Sequence, residues 1–150
     1  MSAAKSYAKP VEVGDVIEVG VLGEVLSASF SGINVGDLVV GPGGCQEYFT
    51  LPGASVRKID SERAPISTAL GVLGMPGMTA YVGLKNIGKP QSGETVAVAA
   101  ASGAVGSVVG QIAKINGARA VGIAGSAEKC RFVVDELGFD DCINHAAPEF

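Results

Sequence analysis

The sequence predicts an α/β chain in which a partial β-barrel is followed by the first βαβαβ half of a doubly wound parallel sheet. Three observations predict this fold class. Residues 11–60 carry short β-branched runs between Gly-rich turns, residues 65–88 have a helical pattern, and later residues alternate apolar strands with helices. We therefore divide the chain into a barrel remnant at 1–64, connecting helices at 65–88 and half of the parallel-sheet domain at 89–150.

The composition is that of a folded domain, and it argues against a nucleic-acid partner. Of the 150 residues, 47% are hydrophobic and 17% are charged, and the net charge is -4, whereas nucleic acid attracts basic surfaces. The uncharged stretches 64–84 and 95–113 have the length of membrane spans, but Gly and Pro interrupt them. Because the N-terminus lacks the apolar core of a signal peptide, we expect a cytoplasmic protein without membrane contact.

Metal and disulfide chemistry are not expected. Cys45, Cys130 and Cys142 form no Cys-x-x-Cys pair. The sequence has a single histidine, His145, and no Cys or His at the spacing of a metal-ligand motif. We interpret the cysteines as buried or idle thiols.

Turn residues and residue types predict the elements of the first two parts. Strands are expected at 16–21, 23–28, 37–40 and 46–51, with glycines between them. In the connecting part, Pro65 is expected in a first helical turn. Pro76 and Gly77 are expected to break the helix, and a second helix is expected over 77–84.

The last part is predicted as strands joined by helices. Gly117 and Gly138 are expected to end the two helices, and Ser126 is expected to cap the second. Alternation of this kind is typical of a parallel sheet. The strands are expected at 95–100, 119–123 and 142–144, and the helices from the turn 102–106 to Asn116 and over 127–137.

The turn after the first parallel strand carries the main functional signal. Residues 101–106 read Ala-x-Gly-x-x-Gly, so alanine replaces the first glycine of the dinucleotide-binding fingerprint. Gly103 and Gly106 would let the backbone approach a pyrophosphate, and the helix N-terminus would supply free N–H groups. The alternative is a glycine turn that only packs the helix on the strand.

The end of the second parallel strand predicts which dinucleotide binds. NAD-binding domains place a carboxylate there, roughly 20 residues after the motif, to hold the ribose 2′-hydroxyl. Here Ser126 stands at this position and Lys129 follows. A neutral strand end beside a cation suits a 2′-phosphate, so we predict NADP(H), with Ser126 and Lys129 at that phosphate and Arg131 as a secondary candidate. The alternative for Lys129 is a solvated helix lysine.

Catalytic residues are not identified by any motif. No Ser-His-Asp set, Cys-His set or general acid is readable, which fits hydride transfer by a cofactor that the protein positions.

Taken together, these motifs resemble the prostaglandin reductase / leukotriene B4 dehydrogenase family of zinc-free medium-chain dehydrogenases/reductases, especially its bacterial curcumin reductases. The region 18–24 lacks the histidine of zinc-dependent relatives. The resemblance implies a GroES-like barrel, a Rossmann domain and NADPH-dependent reduction of the carbon–carbon double bond of an α,β-unsaturated carbonyl substrate. The matching segments are 74–81, 93–96, 99–114 and 125–129, with shorter matches at 35–37 and 46–48.

The resemblance also implies site residues. Met75 and Thr79 would contact the cofactor near the nicotinamide, and His145 falls near a cofactor-contacting tyrosine of the family. The alternatives are a packing pair at a helix start and a surface histidine. The predicted cofactor-binding residues are Met75, Thr79, Gly103, Ala104, Val105, Gly106, Gly125, Ser126, Lys129 and His145.

Family members are longer than this chain, so we expect a fragment that is poorly active alone, and a homodimer is one expected assembly. A zinc-free NADPH quinone reductase and a non-catalytic NADP-binding fragment stay open as alternatives.

Overall fold

The structure is a computed structural model that describes residues 10–148. The chain divides into two compact units between Leu70 and Gly71. Antiparallel strands form the first unit, and parallel strands joined by helices form the second. The mixed α/β class predicted from the sequence is therefore confirmed.

The sheet of the first unit has three antiparallel strands in the order β1-β2-β3, without closure into a barrel among the described residues. Its strands are β1 (Glu18–Glu24), β2 (Leu38–Gly44) and β3 (Arg57–Lys58). The two expected strands, 16–21 and 23–28, are replaced by the single strand β1, because Gly23 pairs with Val39 and continues the ladder. Residues 25–28 lie outside this strand.

The strand expected at 46–51 is absent from the structure. Phe49 lies instead over the sheet at Gly23, where an added Cβ would be 3.6 Å from the ring. Phe49 therefore covers the sheet rather than extending it, whereas Tyr48 is exposed.

Two prolines of the connecting part act differently from expectation. Pro65 precedes a short 3₁₀ helix, Ile66–Ala69, rather than lying inside it. Pro76 does not break a helix: it lies in the first turn of α1 (Met75–Val82), where proline lacks only an N–H that has no helical partner. Helical structure then continues as a π-helix, Gly83–Gly88.

The second unit contains the expected parallel sheet, in the order β4-β5-β6. Gly117 and Gly138 follow the last two helices with φ of +80° and +72°, a conformation that favours glycine. The elements are β4 (Thr95–Ala99), α2 (Gly106–Ile115), β5 (Arg119–Ala124), α3 (Ala127–Asp135) and β6 (Asp141–Asn144).

The aromatic ring of Phe139 fills the space between α2 and the sheet in the core of this unit. Phe139 is 3% exposed, and a Cβ added to Gly110 of α2 would lie 1.9 Å from its ring. Helix α2 can therefore lie against the ring only because residue 110 has no side chain. Val98, Ala101, Ala120 and Val133 complete the buried cluster.

Asp140 ties three elements of this unit together. Its carboxylate accepts hydrogen bonds from Lys114 Nζ of α2 at 2.6 Å and from the Ala120 N–H of β5 at 2.8 Å. The Lys114 ammonium first, and then the Ala120 N–H, lower the pKa of Asp140 from its ordinary value. The ionised carboxylate is thus the form that the folded state favours.

A depressed pKa makes the stability of the fold depend on pH. Asp140 stabilises the folded chain above the pKa of the unfolded state, and this contribution is lost as the pH falls through the lower folded pKa. We expect Asp140→Asn to lower the free energy of unfolding at neutral pH, and the difference from wild type to shrink below about pH 4. Urea unfolding across this range measures it.

The control for this comparison is Asp135→Asn, at the end of α3, because Asp135 makes no ion pair within residues 10–148. A constant difference between Asp140→Asn and wild type at every pH would show that the carboxylate charge is not what stabilises this site.

The cysteines are free thiols. Cys45 is exposed, so of the two alternatives, a buried or an idle thiol, only the idle thiol stays open for it. Cys130 and Cys142 are half-buried. Burial, followed by the neighbouring Cys130, raises the pKa of Cys142 to about 12, which keeps that thiol protonated and unreactive at neutral pH.

Within residues 10–148, no helix is long and apolar enough to cross a membrane. The same residues contain no cluster of three or more His, Cys, Asp or Glu side chains that could hold a metal ion.

Candidate dinucleotide-binding site

The predicted phosphate-binding residues gather at one edge of the parallel sheet. Since β4, β5 and β6 run in the same direction, their carboxyl ends meet there. The turn 101–106 follows β4, Gly125 and Ser126 follow β5, and His145 follows β6. Ligands of open parallel sheets bind at this edge.

The turn after β4 begins with a backbone conformation that alanine rarely adopts. Ala100 has φ of +52°, in the left-handed region that costs roughly 1–2 kcal/mol for a residue with a Cβ. Its carbonyl accepts a hydrogen bond from the Gly103 N–H at 2.9 Å, which closes the turn. Ala101 behind it is fully buried, and its N–H donates to Ile123 of β5 at 3.1 Å.

Gly106 lets α2 start directly on the backbone of this turn. A Cβ at 106 would lie 2.4 Å from the Ala100 carbonyl oxygen and 3.0 Å from Ala101 Cα. This is the close helix–strand packing that the last glycine of a dinucleotide fingerprint permits. The alternative interpretation of the motif, a glycine turn that packs the helix on the strand, is therefore correct for Gly106 and describes one part of the motif's role.

The helix N-terminus also presents the donors that a pyrophosphate needs. The Ser107 N–H donates a hydrogen bond to the Gly103 carbonyl at 2.9 Å, so it is not available to a ligand. The N–H groups of Ala104, Val105 and Gly106 have no hydrogen-bond acceptor among the described residues, and no side chain caps the helix. Three free donors at the positive end of a ten-residue helix favour an anion, so the residues present fit the pyrophosphate of a dinucleotide.

The turn after β5 has the features expected for a phosphorylated ribose. Ser126 caps α3 by accepting a hydrogen bond at Oγ from the Lys129 N–H at 3.2 Å. Because the Ser126 hydroxyl acts there as acceptor, its hydrogen remains available to a phosphate oxygen. Lys129 is exposed in the first turn of α3, and no carboxylate ends β5.

His145 lies beside this turn. Its N–H donates to the Ala124 carbonyl at 3.0 Å, which extends the pairing of β5 and β6 by one residue. A Cβ added to Gly125 would lie 3.3 Å from His145 Nε2. The structure thus brings His145 and Gly125 together at the edge where Ser126 begins α3.

Met75 and Thr79 lie close to each other on α1, not on the turns that follow the parallel strands. Thr79 Oγ1 donates to the Met75 carbonyl at 2.8 Å, within the first turns of α1. The Met75 side chain is 72% exposed. Thr79 Oγ1 also lies 3.5 Å from Met75 Sδ, so the two side chains contact each other, as a packing pair would, while most of Met75 stays open to a ligand. Both residues lie in the second unit.

Sequence reasoning missed two residues that shape the site. Ala100 has a strained backbone conformation with a positive φ, and no pattern of residue types predicts it. Gly110 holds α2 on the core, and its spacing of four from Gly106 was a readable signal because residues i and i+4 share a helix face.

Known proteins similar to this chain support the same interpretation. A family profile described as the N-terminal domain of oxidoreductase matches residues 1–59. NADPH-dependent curcumin reductase of Escherichia coli is 47% identical over the whole chain, which spans 44% of that enzyme. Prostaglandin reductase 1 of Rattus norvegicus is 43% identical over 92% of the chain, which spans 43% of that enzyme.

A solved structure agrees over almost the whole chain. CurA from Vibrio vulnificus in complex with NADPH is 47% identical with a TM-score of 0.90, and the match covers 99% of this chain and 44% of that one. The chain thus spans less than half the length of these relatives. It belongs to the medium-chain oxidoreductase family of the curcumin and prostaglandin reductases, as the resemblance predicted.

Proposed function

We propose that this chain is part of an NADPH-dependent reductase of the carbon–carbon double bond of α,β-unsaturated carbonyl compounds, acting without zinc. The proposal rests on one observation. The turn after β4, whose N–H groups at 104–106 have no acceptor among the described residues, lies at the same sheet edge as Ser126 and Lys129, which follow β5. Relatives named 2-alkenal reductase and (+)-pulegone reductase, 43% and 42% identical, support the substrate class.

The residues of this chain would bind and orient the cofactor. The N–H groups of Ala104, Val105 and Gly106 would hold the pyrophosphate, while Ser126 and Lys129 would hold the 2′-phosphate. Met75 and Thr79 would lie toward the nicotinamide. When bound, NADPH supplies the hydride that reduces the double bond. Catalytic residues stay unassigned, and a cytoplasmic location and a homodimer stay predictions.

Lys129→Ala tests the cofactor assignment. Losing one charge-assisted contact to the phosphate is expected to weaken NADPH binding by about tenfold or more, because such contacts contribute roughly 1.5–3 kcal/mol. NADH lacks the 2′-phosphate, so its affinity should not change. Titration followed by nicotinamide fluorescence measures both constants.

The matched control is Lys85→Ala, which removes an exposed lysine from the π-helix Gly83–Gly88. Equal NADPH affinity in wild type and Lys129→Ala would instead identify Lys129 as a solvated helix lysine and remove this support for NADPH.

A zinc-free NADPH quinone reductase is the second candidate. A quinone oxidoreductase of Pseudomonas syringae pv. Tomato DC3000 is 28% identical with a TM-score of 0.72. We expect turnover of enones to exceed that of quinones when NADPH oxidation is followed with both substrates. Faster quinone reduction would favour this alternative. Tight NADPH binding without turnover of either class, even in a chain extended at both ends to the length of its relatives, would favour a non-catalytic NADP-binding module.

A further inference from the structure

Two of the three cysteines meet where α3 packs on the parallel sheet. Cys130 lies on α3 and Cys142 lies on β6, and both side chains are half-buried. Their thiols are hydrogen-bonding neighbours. Only the rest of α3 and the turn at Gly138 separate them in the chain, so their contact belongs to a single helix–strand unit.

The packing around Gly122 explains why the two side chains meet. Gly122 of β5 pairs with Cys142, and a Cβ added to it would lie 3.1 Å from Cys142 Sγ and 2.8 Å from Val133 Cγ1 of α3. The Cys142 sulfur therefore lies on the sheet face that α3 covers. Cys130 precedes Val133 by three residues, and residues at this spacing share a helix face. The fold thus directs both sulfurs into the same space.

From this geometry we propose that Cys130 and Cys142 form a reversible disulfide when the folded chain meets a peroxide, which fastens α3 covalently to β6. The site is a modification site of the protein itself. It needs no bound cofactor, so it stands or falls independently of the proposed function.

The reaction balances with hydrogen peroxide as the oxidant. Peroxide oxidises the Cys130 thiol to a sulfenic acid and is itself reduced to water. The Cys142 sulfur then attacks the Cys130 sulfur, so that the S–S bond forms, the S–O bond breaks, and the hydroxide leaves with the Cys142 proton as a second water. The two electrons that the thiols lose together are the two that the peroxide gains.

The surroundings of the two thiols assign these different roles. Cys142 packs against the buried core cluster, whereas Cys130 stands between the exposed Lys129 and Arg131 on α3, where the oxidant arrives. Burial raises the pKa of Cys142 to about 12, so this thiol does not compete for free oxidant. It reacts only with a sulfur that is already in contact with it.

The experiment is oxidation of the reduced full chain with a small excess of hydrogen peroxide, without cofactor, followed by alkylation and mass spectrometry. We expect the chain to lose two hydrogen atoms and to keep one alkylated cysteine, Cys45. Trypsin cleaves after Lys129 and Arg131, so residues 130–131 should be recovered linked to the peptide 132–150. A dithiol reductant should reverse the change.

Three variants and a denatured sample serve as controls. C45S removes the exposed cysteine and should form the same cross-link, whereas C130S and C142S should not. Oxidation in denaturing urea should give mixed pairs that include Cys45, because the fold no longer selects the partners. Separately alkylated or over-oxidised Cys130 and Cys142 in the folded chain would overturn the proposal, as would pairing with Cys45 as frequent in the folded chain as in urea.

Discussion

Gly106→Ala is expected both to destabilise the second unit and to weaken NADPH binding. The added Cβ would lie 2.4 Å from the Ala100 carbonyl oxygen, and the obstructing atom belongs to backbone rather than to a movable side chain. Overpacking of this kind costs roughly 1–3 kcal/mol. Because the start of α2 must move away from the turn, the free N–H groups would no longer converge on the pyrophosphate.

We expect the free energy of unfolding to fall by about 2 kcal/mol and the NADPH dissociation constant to rise by about tenfold or more. Urea unfolding and fluorescence titration measure the two quantities. NADH should weaken equally, since the pyrophosphate is common to both nucleotides, and this separates Gly106→Ala from Lys129→Ala.

Gly83→Ala is the matched control. Gly83 has helical angles of φ -57° and ψ -45°, and no atom lies within 4 Å of an added Cβ. Replacing such a glycine by alanine should stabilise the chain by up to about 1 kcal/mol without altering cofactor affinity. If Gly106→Ala behaved like this control, the close contact between α2 and Ala100 would not hold the site together.

The parallel-sheet half was predictable because its signals are local. A run of apolar residues, a Gly-rich turn and a capping serine recur in chain order, and Ser126 and Gly117 perform the roles that residue type assigned to them. The phosphate-binding turn could be placed for the same reason, since its glycines adjoin the strand and the helix that it connects.

The antiparallel half was less predictable because strand pairing depends on distant residues. Gly23 resembles a turn residue by type, yet its pairing with Val39 keeps it inside β1. Phe49 has the residue type of a strand, but it covers the sheet instead. Ala100 shows the same limit within the site, because its positive φ follows from packing around it rather than from its identity.

Phe139→Ala is expected to be the most damaging substitution that touches no predicted cofactor ligand. The ring is 3% exposed and closes the core cluster between α2 and the sheet. Removing a buried phenyl ring costs roughly 3–5 kcal/mol, which approaches the whole stability of many domains. NADPH binding should be lost through unfolding, and a thermal denaturation curve should show this before any titration.

Gly110 makes this prediction specific to the observed packing. Gly110→Ala alone should also destabilise, by about 1–3 kcal/mol, since its Cβ would lie 1.9 Å from the ring of Phe139. In the double variant the new methyl group has the space that the ring vacated, so the two costs should not add. We expect the double variant to be more stable than the sum predicts by about 1 kcal/mol or more.

Comparison of the two single variants with the double variant separates two explanations of why residue 110 is glycine. If the ring excludes a side chain there, the coupling is favourable and Gly110→Ala is partly rescued by Phe139→Ala. If instead the ring can swing aside at little cost, Gly110→Ala should be nearly neutral and the two effects should add within about 0.5 kcal/mol. The first outcome would mean that this contact fixes the distance of α2 from the sheet, and with it the depth of the proposed pyrophosphate site at the start of the same helix.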